Sequence, residues 1–306
     1  MINKFFIIIA TLFLFSYLNA QEMDYNSLIE NGDAAFNSGN YVNAINYYSQ
    51  ALIIDPFNEE LYFKRAESFY ELGRYNQAIF DYTEAIKLDP SFYEAYLKRG
   101  NAYFKLKDFN NAINDYTKAI ELNPDKYIAY YNRGLAYMNL GDYENAIDDF
   151  TETLRLNPNH VNSYIYRGVS YLNSSNYNNA INDLTKAARL DPNNPVIYYN
   201  RGIAFYKTGN INQAISDLSY AITLYPNYDD AYVARGLVYA SINNYDKAIE
   251  DYTAALNIDP QNAYAYYNRG VAYENIGEYQ LASYDFDRAC QYNRSLCTLD
   301  QLLPNN

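Results

Sequence analysis

The sequence predicts an all-α fold built as a linear array of eight copies of one two-helix unit. Three observations predict it. Proline recurs at Pro56, Pro90, Pro124, Pro158, Pro192, Pro226 and Pro260 with a constant step of 34 residues, a period expected of stacked repeats. Small residues keep the same register, as do alanines twelve positions further on. Aromatic residues recur at helical spacing between them.

The stretch from Tyr127 to His160 shows how one copy is built. Tyr130, Gly134 and Tyr137 fall at i, i+4 and i+7, which places two rings and a gap on one helical face. Gly134 lets a second helix come close, and Gly141-Asp142 ends the first helix. Ala146, Ile147, Phe150, Leu154 and Leu156 form the apolar stripe of the second. It stops before Pro158, because the residue preceding a proline is pushed out of the helical region.

This order of aromatic, small, aromatic, alanine and proline resembles the tetratricopeptide repeat family. Counting from Tyr25, the family's small eighth position is held by Gly32, Ala66, Gly100, Gly134, Gly168, Gly202, Gly236 and Gly270. Its twentieth is held by Ala44, Ala78, Ala112, Ala146, Ala180, Ala214, Ala248 and Ala282. Where the family has tryptophan at the fourth position, this chain has Leu28 and then Tyr62, Tyr96, Tyr130, Tyr164, Tyr198, Tyr232 and Tyr266. The resemblance implies a right-handed α-solenoid of eight helix-turn-helix repeats, at 25–58, 59–92, 93–126, 127–160, 161–194, 195–228, 229–262 and 263–296. A solenoid of this kind is expected to be one continuous unit. Copy eight loses the closing proline to Arg294, and Leu296, Leu299 and Leu303 suggest a short C-terminal capping helix within the 297–306 tail.

Residues 1–20 carry Lys4, an apolar run from Phe5 to Leu18 and a small Ala20 before Gln21-Glu22, the pattern of a secretory signal peptide. The chain is therefore expected to be exported, periplasmic or secreted, with the array beginning at residue 21. The alternative is an uncleaved membrane anchor, because Leu18 is large for the third residue before the cut.

The net charge of -13 becomes more negative once Lys4 is removed. Such a chain repels phosphate backbones, so nucleic acid and anionic membrane surfaces are poor partner candidates and no nucleic-acid partner is expected, nor is stable membrane insertion after cleavage. Two charged rows accompany the repeat. Arg65, Arg99, Arg133, Arg167, Arg201, Arg235 and Arg269 hold the seventh position, and Asp81, Asp115, Asp149, Asp183, Asp217, Asp251 and Asp285 the twenty-third. Copy one lacks both, with Asn31 and Tyr47 in their places. Absence together predicts that the two rows pair with each other.

No catalytic constellation, phosphate loop, cofactor site or metal site is present in the pattern. The single His160 reads as a solvent-exposed loop residue, and Cys290 with Cys297 are too few for a zinc site. These two either stay as buried thiols or form a disulfide. A continuous helix would hold them about 10 Å apart, so pairing requires a turn near Tyr292 to Ser295.

The chain is expected to be no enzyme but a protein-interaction scaffold. In the family the first helices line a concave groove through positions two, five, nine, twelve and thirteen. Carried over, these give an acidic N-terminal stretch with Asp33, Glu60, Glu67, Glu71 and Glu94. An apolar stretch follows in copies four to six, with Ile128, Tyr131, Leu135, Met138, Ile165, Val169, Leu172, Val196, Tyr199, Ile203 and Tyr206. The implied partner is a protein or peptide carrying basic residues at one end. The lysine that chaperone-binding members use at position five is replaced by Ile29, Phe63, Leu97, Tyr131, Ile165, Tyr199, Val233 and Tyr267, so that carboxylate clamp is missing. A structural role in an envelope assembly, through outer helices and array ends, is the alternative. Carbohydrate binding by groove tyrosines is the weaker one. N-terminal sequencing of the mature protein is expected to begin at Gln21, whereas recovery of a full-length membrane-bound chain would favour the anchor.

Overall fold

A computed structural model describes residues 24–297. The leader, its cleavage point, Leu299 and Leu303 lie outside those residues. Sixteen helices in eight pairs follow one another among the described residues. The pairs are α1 (residues 24–37) with α2 (Tyr41–Ile54), α3 (Glu59–Glu71) with α4 (Tyr75–Leu88), α5 (Tyr93–Lys105) with α6 (Phe109–Leu122) and α7 (Tyr127–Asn139) with α8 (Tyr143–Leu156). They continue with α9 (Val161–Asn173) and α10 (Tyr177–Leu190), α11 (Pro195–Lys207) and α12 (Ile211–Leu224), α13 (Asp229–Ser241) and α14 (Tyr245–Ile258), and α15 (Ala263–Asn275) and α16 (Tyr279–Tyr292).

Local chemistry explains the breaks. Within each pair the turn passes through one left-handed residue, a glycine at Gly39, Gly73, Gly141, Gly209 and Gly277 with φ between 70° and 86°, which costs glycine nothing. Lys107, Ser175 and Asn243 adopt φ near 60° at the equivalent position. Second helices end two residues before proline, with Asp55, Asp89 and Asp259 in extended backbone ahead of it. Several helices open on a side-chain cap, as where Asn58 accepts from the Leu61 N–H and Asn262 from that of Ala265, satisfying donors the helix leaves unpaired.

Among the described residues the array falls into two compact units of four repeats each, one ending at Leu156 and the other beginning at Asn157. Inside each unit a helix touches only its near neighbours in sequence, so compactness in such an array is local. First helices also meet the first helix of the next repeat, as α3 meets α5 and α11 meets α13. This closer row forms the inner face of each unit.

The core departs from the sequence expectation in one respect. The rings that seal the helix pair come from the twenty-fourth position. Tyr48, Tyr82, Tyr116, Phe150 and Tyr252 are fully buried, as are Leu184 and Leu218. A Cβ added at Gly134 would stand 2.9 Å from Phe150 Cε1, and one at Gly100 would stand 2.7 Å from Tyr116 Cε1. The second helix thus drops a ring onto the bare backbone of the first. Tyr130 at position four is only half-buried, because it lies beside the charged row.

That row is paired as the sequence predicts. Arg133 Nη2 and Nε donate to the two oxygens of Asp149 at 2.7 and 2.9 Å. The same two-bond fork joins Arg65 to Asp81, Arg99 to Asp115, Arg167 to Asp183, Arg201 to Asp217, Arg235 to Asp251 and Arg269 to Asp285. The carboxylates are buried. A third contact was not anticipated. Arg133 Nη1 donates to Thr117 Oγ1 of the preceding repeat at 2.9 Å, and Arg65, Arg99, Arg201, Arg235 and Arg269 reach Ser49, Thr83, Thr185, Ser219 and Thr253 in the same way. Tyr130 lies against the guanidinium, 5.9 Å from its centre.

At the far end the capping element is, among the described residues, a short 3-10 turn, Arg294–Leu296, and the rest of the expected capping helix lies outside them. Asn293 stops α16, its side chain accepting from the Ser295 N–H and hydroxyl. The chain turns where pairing required it, and Cys290 and Cys297 are joined with their Cα atoms 4.4 Å apart. Leu296 packs against the last core cluster. No helix among the described residues is long and apolar enough to cross a membrane.

Phe150→Ala is expected to cost about 3–5 kcal/mol in thermal or chemical unfolding, against about 1–2 kcal/mol for the half-buried Tyr130→Ala. Equal losses would contradict the assignment of the sealing ring. Asp149→Ala, which leaves a mostly buried guanidinium unpaired, is expected to cost about 3–5 kcal/mol. The double variant Arg133→Met, Asp149→Leu is expected to melt closer to the parent than that single variant does, and the order of the two melting temperatures checks the point.

Candidate functional site

The inner face of the first unit is polar because its sealing rings are tyrosines. A buried hydroxyl needs an acceptor, and position nine on the first helix supplies it. Tyr48 Oη donates to Asp33 at 2.7 Å, and Lys64 of the next repeat reaches the same carboxylate at 2.9 Å. One repeat on, Tyr82 donates to Glu67, and Lys98 closes on Glu67 at 2.5 Å. The third rung is neutral, with Tyr116 Oη and Asn132 Nδ2 each 2.9 Å from Asn101 Oδ1. In copy four the ring is Phe150, which has no hydroxyl, and position nine becomes Leu135. A cavity of about 280 Å³ opens beside Asp33, Glu60, Phe63 and Glu67, and one of about 200 Å³ beside Tyr70, Asn101, Tyr116 and Leu135.

In the second unit the inner face turns apolar. Position nine carries Val169, Ile203, Leu237 and Val271. Between α11, α13 and α15 lies a cavity of about 330 Å³. The buried Leu218 and Val238 line it together with Ile203, Val233, Ala234 and Leu237. Tyr199, Tyr206, Tyr264, Lys207, Asp230 and Asn268 supply its polar groups. Burial pushes the Tyr199 hydroxyl up to about 12, helped by Asp230 and Asp229. The Asp230 carboxyl is also raised, by desolvation and then by Asp229 and Asp259. This arrangement can receive side chains; it holds no nucleophile and base in contact, and no group of metal-ligating residues occurs among the described residues.

Family models described as TPR repeat match residues 32–73, 66–107, 100–141, 171–209 and 236–277. Models described as tetratricopeptide repeat match 127–160, 195–228 and 263–296. The chain belongs to the tetratricopeptide repeat (TPR) family. Among solved structures it is similar to a TPR protein from Parabacteroides merdae, at 23% identity over 85% of this chain and 99% of that one, with a TM-score of 0.60. The C-terminal part of a TPR repeat-containing protein from Cytophaga hutchinsonii matches at 20% identity over 78% and 97%, with a TM-score of 0.66. YrrB, described as a TPR protein with an unusual peptide-binding site, matches at 25% identity over 60% and 95%, with a TM-score of 0.52. No curated protein matches this chain. TPR arrays are interaction scaffolds, and this chain is a TPR scaffold.

The groove residues expected from the sequence are distributed unevenly. Tyr131 is half-buried with its ring 6.1 Å from Phe150, Leu135 lines the smallest of these cavities, and Met138 is half-buried nearby in sequence. Ile165 is corrected: it is 5% exposed within the core of α9 to α13, because its neighbours Ala180 and Leu184 close over it. Val169 and Leu172 pack partly against that core. Tyr199, Ile203 and Tyr206 do meet in one cavity. Glu60 and Glu67 share another, but Glu67 is already neutralised by Lys98, while Glu71 is exposed and lines neither. His160 is corrected as well. It precedes α9 half-buried, its Nδ1 2.8 Å from Ser163 Oγ, and burial lowers its pKa. Sequence reading missed the copies seven and eight share of the apolar cavity. The signal was Ala234, which stands at position six where other copies have Glu30, Lys64, Lys98, Asn132, Tyr166, Asn200 and Asn268.

Proposed function

We propose that this TPR protein is an exported scaffold that binds protein segments, with a candidate binding surface on the inner face of each unit taken by itself. One observation carries the reading, the open apolar cavity between α11, α13 and α15. Apolar pockets with a few convergent polar groups are where ligands bind. The peptide-binding site described for YrrB supports a peptide-like ligand. Leu135 and Met138 in the first unit, and Val169, Leu172, Ile203 and Tyr206 in the second, are assigned as contact residues. Glu60, Glu71 and Glu94 are inner-face carboxylates of the first unit without a lysine on them. They favour a partner with basic residues at one end, acting more on the association rate than on final affinity. Export is supported by the leader pattern of residues 1–20 and by the Cys290–Cys297 disulfide, since such bonds persist in oxidising compartments.

A second reading is favoured by the outer face of copy one. Val42, Ile53 and Phe57 are 52%, 82% and 76% exposed, at positions that are polar in every other copy. An apolar edge of this kind suits contact with another assembly component.

Leu135→Asp with Val169→Asp is expected to remove proteins retained on the immobilised mature chain, with the helical spectrum preserved. An acid already stands at that position as Asp33 in copy one. Retention that survives this pair and is lost in Ile53→Asn with Phe57→Ser would replace the groove by the outer-face reading.

A further inference from the structure

The apolar cavity of the second unit has a cause in the repeat register. Position six carries a polar side chain in the neighbouring copies, Asn200 and Asn268, of which Asn268 lines the cavity, but copy seven has the small Ala234 there. Position twenty-four of copy six is Leu218, a side chain without the hydroxyl that Tyr48 or Tyr82 turns toward position nine. Two truncations at adjoining sites leave a notch of about 330 Å³, at the small end of ligand clefts of roughly 300–1,000 Å³. Its floor, Leu218 and Val238, is fully buried and apolar. Water there gains few hydrogen bonds, so an apolar side chain displaces it favourably.

The lining also selects charge. Asp230 is exposed and accepts no hydrogen bond from the other described residues, whereas Asp229 accepts one from Asn262 Nδ2 at 3.1 Å. Asp259 acts on Asp230 as well. These carboxylates outnumber Lys207, the one ammonium on the lining. A cation arriving beside the notch relieves their mutual repulsion, and an anion adds to it.

We infer that the notch between α11, α13 and α15 is an anchor pocket for an extended protein segment that presents one bulky apolar side chain followed directly by lysine or arginine. The apolar chain enters over Leu218, Ala234 and Leu237, and the basic neighbour lies against Asp230. Tyr206 and Tyr264 flank the opening; Tyr264 is 59% exposed, a large rigid ring that orders at small entropic cost. The inference rests on the scaffold reading above and names the partner's chemistry at one place in it.

Three capped, fluorescein-labelled nonapeptides of Gly and Ser test it, with a central Phe-Lys, Phe-Glu or Ser-Lys, titrated by anisotropy against the mature chain. Phe-Lys is expected to bind tightest. Asp230→Asn is expected to weaken Phe-Lys by about fivefold, the worth of one exposed charge pair, and to leave Phe-Glu unweakened. Ala234→Tyr refills the notch with the residue that copy five already carries as Tyr166, and is expected to weaken Phe-Lys by about tenfold or more. Leu237→Asp, at a position that is acidic in copy one, is expected to do the same should Ala234→Tyr fail to fold. Equal binding of Phe-Lys and Ser-Lys overturns the proposal, as does a folded Ala234→Tyr that binds like the parent. If the parent binds none of the peptides yet retains proteins that Leu135→Asp with Val169→Asp releases, this inference fails alone. If it retains no protein either, the scaffold reading fails with it.

Discussion

The arginine at position seven is the contact on which the stacking depends. Each one forks onto the aspartate of its own second helix and, within each unit, reaches a hydroxyl on the second helix of the repeat before, as Arg133 does with Asp149 and Thr117. Three elements are thereby fixed at one point, with the position-four ring laid on the guanidinium. Replacing such a pair by well-packed apolar groups is often neutral, so its value lies in register more than in net stability. A guanidinium has five donors in a rigid plane, and this geometry accepts only one spacing between successive second helices. The terminal copies follow the same logic. Copy one keeps the hydroxyl Ser49 without Arg or Asp, and copy eight keeps the pair while Asp287 stands where the others have serine or threonine.

With the outer spacing fixed, the inner face takes its polarity from the core. A tyrosine dropped onto Gly32, Ala66 or Gly100 brings a hydroxyl that must be satisfied, and so Asp33, Glu67 and Asn101 follow. Phe150, Leu184 and Leu218 bring none, and Leu135, Val169 and Ile203 follow. Copy seven departs from the rule, pairing Tyr252 with Leu237. The choice of sealing residue thus reaches the surface that a partner would meet.

The helices, their breaks and the Arg–Asp pairs were legible because each recurs at a fixed step, and recurrence separates a requirement from an accident. The joint absence of both charges from copy one showed that they pair. Helix rise showed that pairing Cys290 with Cys297 requires a turn, but left open whether they pair, which the structure shows they do. What was not legible depends on residues of different copies meeting once. The neutralisation of Glu67 comes from Lys98, 31 residues away, and no single copy contains both. Ile165 reads as groove by position, yet Ala180 and Leu184 leave it closed. Tyr130 reads as core by aromaticity, yet the charged row it serves keeps it half in water.

Such one-off meetings are also where a repeat protein acquires individuality. In an array where each repeat contacts only its near neighbours, a change in two copies alters one site and leaves the rest of the stack unstrained. Ala234 and Leu218 together open a cavity, whereas Gly168 over Leu184 and Gly202 over Leu218 keep the same close contact at the helix pair, 2.9 and 2.8 Å to the leucine Cγ from a would-be Cβ. The sealing contact is retained while the inner face is remodelled, because position eight and position six point away from each other on the helix, 200° apart at 100° per residue. A scaffold can therefore change its ligand chemistry at position six and nine without touching the contacts that hold its helices together.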